Sequence, residues 1–304
     1  MSIDLSVIIP VYKAEPYIQR CIEGLLAQDF PRDRFEVLFV DNNSPDRSAE
    51  IIRQHEPDVR LLHEYKQGAY AARNKALREA KGKAIVFTDP DCVPESDWLS
   101  TAWGALQQTG VQVALGRVYP PEGSEALRLL HLYVHHRHRY IFEGDDPTLY
   151  YGHTNNLAAT REAVETCCPF EERARGGDTI FVQLVVEQFG LDAVRYFPDM
   201  QVLHLEVETV RDFLHKSYLY GKSWSKYSQI VKARPVTTSE RLMIWKCVVA
   251  EEGLSRLERA RMWAVLGAGA ASFKYGTYRG GGKSSQPAEN AASFPEKEEL
   301  TSHG

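Results

Sequence analysis

Two carboxylates separated by a single proline, Asp89-Pro90-Asp91, directly follow the apolar run Ala84 to Thr88. At the carboxyl end of a buried strand both acids can point into the crevice above an open α/β sheet, where such sheets bind ligands. With no Lys or Arg beside them in sequence they repel each other. A divalent cation relieves that repulsion, and Mg2+ and Mn2+ both take hard oxygen ligands. Pro90 fixes φ between the two acids, so the turn is stiff before any ligand arrives. Taken alone, the tripeptide also fits an ordinary Asp- and Pro-rich turn. Its place after a strand, and the elements upstream of it, weigh toward a cation site.

Those elements alternate. Leu5 to Ile9 is a short apolar run closed by Pro10, and residues 14–28 carry a helical stripe of Ile18, Cys21, Ile22, Leu25 and Leu26. Phe35 to Val40 reads as a second strand, followed by a turn over Asp41 to Asp46 and a helix over Ser48 to His55. Val59 to Glu64 is a third strand, and Gly68 precedes a helix over Ala71 to Ala80. Repeated strand–helix alternation predicts an α/β, Rossmann-like, mainly parallel sheet flanked by helices on both faces. Further strands are expected over 111–119, 156–159, 193–197 and 201–205, with helices over 127–142, 161–166 and 179–189. From 207 onward the pattern is helical, over 210–230, 239–250 and 254–275. Residues 280–304 are rich in Gly, Ser and charge, with little to bury, and are expected to be disordered.

Composition narrows the class. The 304 residues are 43% hydrophobic and 25% charged, ordinary for a soluble globular chain. A net charge of −5 argues against a general nucleic-acid binder. No signal-type N-terminal run appears, and the longest apolar candidate, Met262 to Phe273, falls short of the ~20 residues that span a bilayer. Five cysteines, an odd number with no CxxC and with Cys167 and Cys168 adjacent, do not form a disulfide framework or a zinc site. Free thiols in a reducing cytoplasm are the expectation.

Four motifs then fall in order: Val7-Ile8-Ile9-Pro10-Val11-Tyr12, Phe39-Val40-Asp41-Asn42-Asn43-Ser44, Gly68-Ala69-Tyr70-Ala71-Ala72-Arg73-Asn74, and Phe87-Thr88-Asp89-Pro90-Asp91. Three end strands and one opens a helix, so a parallel sheet brings all four to one edge. With Leu25-Leu26-Ala27-Gln28, Asp91-Cys92-Val93-Pro94 and Trp98-Leu99, the first 110 or so residues closely resemble the nucleotide-sugar-binding half of the inverting family 2 glycosyltransferases, which have the GT-A fold. The likeness continues more loosely to about residue 225. It implies a nucleotide-sugar-binding half over 1–110, an acceptor-binding half over 111–207, a helical region over 208–279 and a tail over 280–304.

The resemblance also implies roles. Asp91 would bind the metal, with Asp89 on the ribose or the metal. Asp41 would accept from the base. Pro10, Tyr12 and Glu15 would line the base and ribose pocket, with Arg73 near the nucleotide, where a guanidinium suits phosphate or a base carbonyl. The plainer readings are a strand end for Pro10 and Tyr12, a turn start for Asp41 and a solvated helix position for Arg73. In the family a Glu-Asp pair follows a Gly at a helix start and supplies the base. Here Arg175-Gly176-Gly177-Asp178 stands there, so the resemblance implies that Asp178 would be the general base, with Gly177 in place of the usual Glu. Asp178 also suits an N-cap, and Glu171 and Glu172 are the alternative bases. Asn156 would touch the donor sugar or satisfy backbone groups. His204 would be a metal ligand, shifting preference from Mg2+ toward Mn2+, or a structural histidine.

Two further stretches carry charge. His131, His135, His136 and His138, with Arg137 and Arg139, read as a solvated or acceptor-facing basic stripe that hints at an anionic acceptor if it faces the cleft. Lys216, Lys222, Lys226 and Lys232 among Tyr218, Tyr220, Trp224 and Tyr227 read either as a packing helix with solvated lysines or as a surface for peripheral contact with the inner face of a membrane. The expectation is a metal-dependent (Mn2+ or Mg2+) inverting transferase. It would take a UDP- or GDP-linked nucleotide-diphosphate sugar donor and a glycan, lipid-linked or small-molecule acceptor. The rivals are a catalytically impaired nucleotide-sugar-binding protein, suggested by Gly177, and a nucleotidyltransferase. Against the latter, Tyr12-Lys13-Ala14-Glu15 stands where a Gly-rich, Lys/Arg-bearing triphosphate loop belongs.

Overall fold

The computed structural model describes residues 3–173, 175–227 and 233–281. Its centre is β1 (Leu5–Val11), buried along its whole length. β1 pairs in parallel with β2 (Phe35–Asp41) on one side and β4 (Ala84–Thr88) on the other, and β3 (Arg60–His63) extends the sheet beyond β2. The chain runs outward from β1 to β3 and then returns across β1 to β4. The crossover leaves a crevice between the carboxyl ends of β1 and β4, the switch point where open α/β sheets take ligands.

Beyond β4 the sheet is mixed. β7 (Asn156–Thr160) runs antiparallel to β4 and to β6 (Val113–Tyr119), and β6 is parallel to β8 (Val194–His204). The short β5 (Cys92–Pro94) closes the far edge against β8, giving the order β3-β2-β1-β4-β7-β6-β8-β5. The two strands expected over 193–205 are one strand, with a register irregularity opposite Gly116 and Arg117. β5 is too short to show a periodicity.

Alternation along β1 splits the core into two layers. Leu5, Val7, Ile9 and Val11 face α1 (Ile18–Leu26) and α4 (Trp98–Leu106), whereas Ile8 faces α3 (Ala69–Glu79) and α7 (Gly177–Phe189). α2 (Ser48–Arg53) and α6 (Arg161–Cys167) complete the flanks.

The expected helical C-terminal region is present as α8 (Val210–Tyr227), α9 (Thr238–Glu251) and α10 (Arg256–Gly281), packed on α5 (Glu125–Phe142). Thr237 and Glu240 form a reciprocal cap at the start of α9. α8 and α10 approach closely at Gly221 and Gly276, where an added Cβ would strike the carbonyls of Phe273 and Tyr218. Gly280 and Gly281 end α10; the tail expected over the rest of 280–304 lies outside the described residues, as do the end of the 210–230 helix and Lys232. All five cysteines are free thiols. Among the described residues no helix is long and apolar enough to cross a membrane.

Candidate active site

Asp89 and Asp91 leave the carboxyl end of β4 at the switch-point crevice, and β5 returns at once to pair with β8. That pairing sets Cys92 opposite His204 and ties the Asp91 carbonyl to Leu205 N at 2.8 Å. His204 Nε2 consequently lies 3.1 Å from Asp91 Oδ2. Asp91, Cys92 and His204 bring one potential ligand atom each within 4.8 Å of one another. Burial pushes the Cys92 thiol well up from its ordinary value. Burial also raises the Asp91 carboxyl, but the hydrogen bond and charge of His204, with help from Glu206 and Lys216, outweigh it and bring it down to about 2. Asp89 moves the other way: burial raises it, Arg73 opposes, and the charge of Asp91 adds to the rise. The carboxylate of Asp91 and the imidazole of His204 offer oxygen and nitrogen donors of the kind that fit a divalent cation such as Mn2+. Lys216, on α8, sits behind them, its Nζ 2.5 Å from Glu206 Oε2.

α3 ties this cluster to the other half of the site. It starts at Gly68, whose φ of 138° is a conformation side-chain-bearing residues rarely adopt. Asn42 fixes that start: its Oδ1 accepts from Gly68 N at 2.6 Å, and its Nδ2 donates to the carbonyls of Glu64 and Lys66 at 2.7 and 2.8 Å. One turn in, Tyr70 and Arg73 share a face. Arg73 is almost wholly buried and donates from Nη2 to Asp89 Oδ1 at 2.6 Å, so it is not a solvated helix residue. Asn42 and Tyr70 stand within the sequence motifs, but nothing in their residue type marks them as braces.

The remaining donor-side candidates lie along the same edge. Asp41 is buried at the end of β2, accepting from Ser44 N at 3.3 Å and facing His63 Nδ1 at 3.6 Å. Pro10 is enclosed within β1, whereas Tyr12 is 47% exposed and free to meet a ligand. Glu15 is held by Asp46 and Arg47: its N–H donates to Asp46 Oδ2 at 3.2 Å and its Oε2 accepts from Arg47 N at 3.0 Å. A shallow hollow lined by Lys13, Glu15, Pro16, Pro45 and Asp46 opens there.

Asp178, the expected base, lies in the first turn of α7. The N-cap is Gly176, at φ 90°, so Asp178 is not the capping residue. Its Oδ1 accepts from the Tyr70 hydroxyl at 3.0 Å and from Thr179 N at 2.9 Å. The Tyr70 ring lies over Gly177, where an added Cβ would sit 3.0 Å from three ring atoms. Glu171 pairs with Arg173, and Glu172 with Lys66 and Asn74, so both alternative bases are engaged elsewhere.

Three expectations resolve differently. Asn156 is fully enclosed; its Oδ1 accepts from Trp98 Nε1 at 2.8 Å and its Nδ2 donates to the carbonyls of Arg117 and Met200 at 2.9 and 2.8 Å. Of the two roles open to it, the structure shows the backbone-satisfying one. The histidines of α5 are not a solvated stripe. His136 and His138 are buried, His135 Nδ1 lies 2.9 Å from the Tyr196 hydroxyl, and burial lowers His131 and His135 to about 4. The cause is the packing of α5 between β8 and α9, which turns that helix face inward. On α8, Lys216 is not a solvated lysine but pairs with Glu206, whereas Tyr220 is 49% exposed and carries the Arg175 guanidinium 4.8 Å above its ring. The side chains of Lys226 and Tyr227 lie outside the described residues.

Residues 6–167 match the family model for glycosyl transferase family 2. The chain is 38% identical over 131 residues to the glycosyltransferase AglE of Haloferax volcanii, covering 41% of this chain and 43% of that one. It is 32% identical over 129 residues to the glycosyltransferase GlyG of Streptococcus pneumoniae, covering 41% and 42%. The matches therefore span less than half the length of these curated relatives. Among solved structures, the mannosyltransferase PcManGT of Pyrobaculum calidifontis, in complex with GDP-Man and Mn2+, superposes with a TM-score of 0.60 at 20% identity over 90% of this chain and 87% of that one. The S. aureus TarS fragment in complex with UDP-GlcNAc gives a TM-score of 0.53 at 16% identity, with 92% of each chain covered. The chain belongs to glycosyl transferase family 2 and has the GT-A fold.

Proposed function

We propose that this chain transfers a sugar, with inversion, from a nucleoside-diphosphate sugar to an acceptor hydroxyl. The observation that carries the reading is the bridge through α3. Arg73 holds Asp89 on the donor side while Tyr70 holds Asp178 on the acceptor side, so the cation-type cluster and the base face one crevice.

In this reading Asp91, Asp89 and His204 hold a divalent cation, in keeping with the Mn2+ in the complex of the Pyrobaculum calidifontis mannosyltransferase. The cation supplies neutralisation of charge on the diphosphate as the bond to the sugar breaks. Arg73 and Lys216 add fixed positive charge on the same side. Asp41, Tyr12 and Glu15 receive the base and ribose at the carboxyl ends of β1 and β2. Asp178 takes the proton from the acceptor hydroxyl as its oxygen attacks the anomeric carbon, and the nucleoside diphosphate departs on the opposite face. Tyr70, by donating to Asp178, fixes the direction of the carboxylate. The donor is UDP- or GDP-linked, and the product enters a surface glycan, polysaccharide or glycolipid.

The test is product analysis with UDP- and GDP-sugars and Mn2+. Release of nucleoside diphosphate, abolished in Asp178→Asn and Asp91→Ala, supports the reading. Pyrophosphate release would point to nucleotidyl transfer, and no release from any donor to a binding protein.

A further inference from the structure

Among the described residues, six buried side-chain nitrogen or oxygen atoms have no hydrogen-bond partner; Arg117 Nε, Arg137 Nε, His153 Nδ1 and Asn155 Oδ1 are four of them. Buried polar groups are satisfied in the great majority of cases, so such a concentration calls for an explanation. All four belong to the stretch 111–207. Arg117 is on β6, Arg137 on α5, and His153 and Asn155 on the segment that enters β7.

This wall adjoins the proposed base. Gly152 packs so tightly on Asp178 that a Cβ there would strike the Asp178 carbonyl. The residues either side of Gly152 engage the wall. Arg137 Nη2 donates to the Tyr151 hydroxyl at 2.9 Å. His153 Nε2 lies 3.2 Å from the carbonyl of Gly116, next to Arg117, and its ring stacks on His138 at 4.9 Å. Arg117, Arg137, Tyr151 and His153 each keep partial exposure.

No carboxylate lies within 4.0 Å of Arg117 or Arg137 among the described residues, in contrast to Arg73 with Asp89 and Arg234 with Asp146 and Glu240. Burial keeps His131, His135, His138 and His153 neutral, so the positive charge of the wall rests on the two guanidiniums. Partly desolvated cations without a counter-ion are costly, and an incoming anion offsets that cost. Two planar forks fit a phosphate, which offers up to two negative charges and three acceptor oxygens.

We infer that the acceptor carries a phosphate group close to its accepting hydroxyl, and that Arg117 and Arg137 bind it. The inference rests on the reading of Asp178 as the base.

The test uses the full chain with the donor site saturated by GDP or UDP and Mn2+, whichever binds, and inorganic phosphate as the probe, with acetate at equal ionic strength as control. Phosphate, not acetate, should raise the melting temperature in a saturable manner. Arg117→Gln and Arg137→Gln should each weaken that phosphate response at least tenfold, and the Lys variants, which keep charge without the fork, should fall between. If Arg137→Gln does not fold, the Arg117 pair decides. Glycerol 3-phosphate and vesicles containing phosphatidic acid then distinguish a soluble from a lipid-borne phosphate, and a response to either supports the inference. A phosphate response equal to that of acetate, or one unchanged in the Gln variants, overturns it. Absence of metal-dependent nucleotide binding in the same preparations would instead count against the donor-site reading.

Discussion

The ring of Tyr70 covers Gly177 at 3.0 Å from where a Cβ would be, and the hydroxyl of the same residue donates to Asp178 Oδ1 at 3.0 Å. The position where the family resemblance places a Glu is thus filled by an aromatic ring delivered from α3. Gly177 is the complement of Tyr70, and the site keeps a positioned carboxylate at Asp178.

Tyr70→Phe preserves the ring contact and removes one hydrogen bond to a carboxylate. Hydrogen bonds to charged groups contribute about 1.5–3 kcal/mol, so kcat should fall roughly 10- to 100-fold. KM for the donor should change little, because the donor cluster is held by Arg73. Gly177→Ala, which forces the ring to move, should lower kcat in the same sense. Steady-state kinetics with the donor identified by product analysis checks both; an unchanged kcat in Tyr70→Phe would remove Tyr70 from the site.

In the proposed cation cluster His204 would be the softer donor. His204→Ala should lower the affinity for Mn2+ at the nucleotide-loaded site more than that for Mg2+, narrowing or reversing the preference. Metal titrations of the nucleotide complex measure this directly. Equal losses for the two ions would make His204 an orienting partner of Asp91 and not a ligand.

Asn156 serves the fold. Asn156→Ala would orphan Trp98 Nε1 and two backbone carbonyls in a fully enclosed place, at about 1–3 kcal/mol for each unsatisfied group. Denaturant unfolding should show that loss. Gly116→Ala should be comparably damaging, since its Cβ would strike the Asn156 side chain and the Met200 carbonyl.

Stability should fall in mild acid. Burial first, with neighbouring positive charges, lowers His135 to about 4, and His131 also reaches about 4; His138 and His153 shift the same way. Depressed folded values mean that the unfolded chain takes up protons first, so the stability is complete above about pH 6.5 and is lost as pH drops toward 4. The slope of unfolding free energy against pH near 5 should reflect several protons, and His135→Gln should flatten it by about one. A pH-independent stability between 7 and 4.5 would contradict the buried, neutral histidine cluster.

Much of the donor half was legible because each strand ends in the residue that matters. Asp41, Asp89 and Asp91 are fixed to the crevice edge by the parallel strands before them, and four strand–helix alternations suffice to predict that edge. β5, by contrast, is three residues long and exists through its pairing with β8, a contact more than a hundred residues away in the chain. The Asp91–His204 approach depends on that register, so sequence could nominate His204 but not place it. The α5 histidines misled for a related reason: a helix bearing four His and three Arg reads as wet until β8 and α9 are seen to cover it. Tyr70 and Asn42 were visible inside motifs, yet their roles arise from contacts with Asp178 and Gly68 that no local spacing encodes.

In the proposed function Asp91 anchors a cation that holds a nucleoside diphosphate at the end of β4. Calorimetric titration of UDP and of GDP, each with and without Mn2+, on wild type and on Asp91→Ala, tests it most directly. One nucleotide should bind the wild type only when Mn2+ is present and should not bind Asp91→Ala. Failure of both nucleotides to bind under every condition, or binding indifferent to Mn2+ and to Asp91, would contradict it.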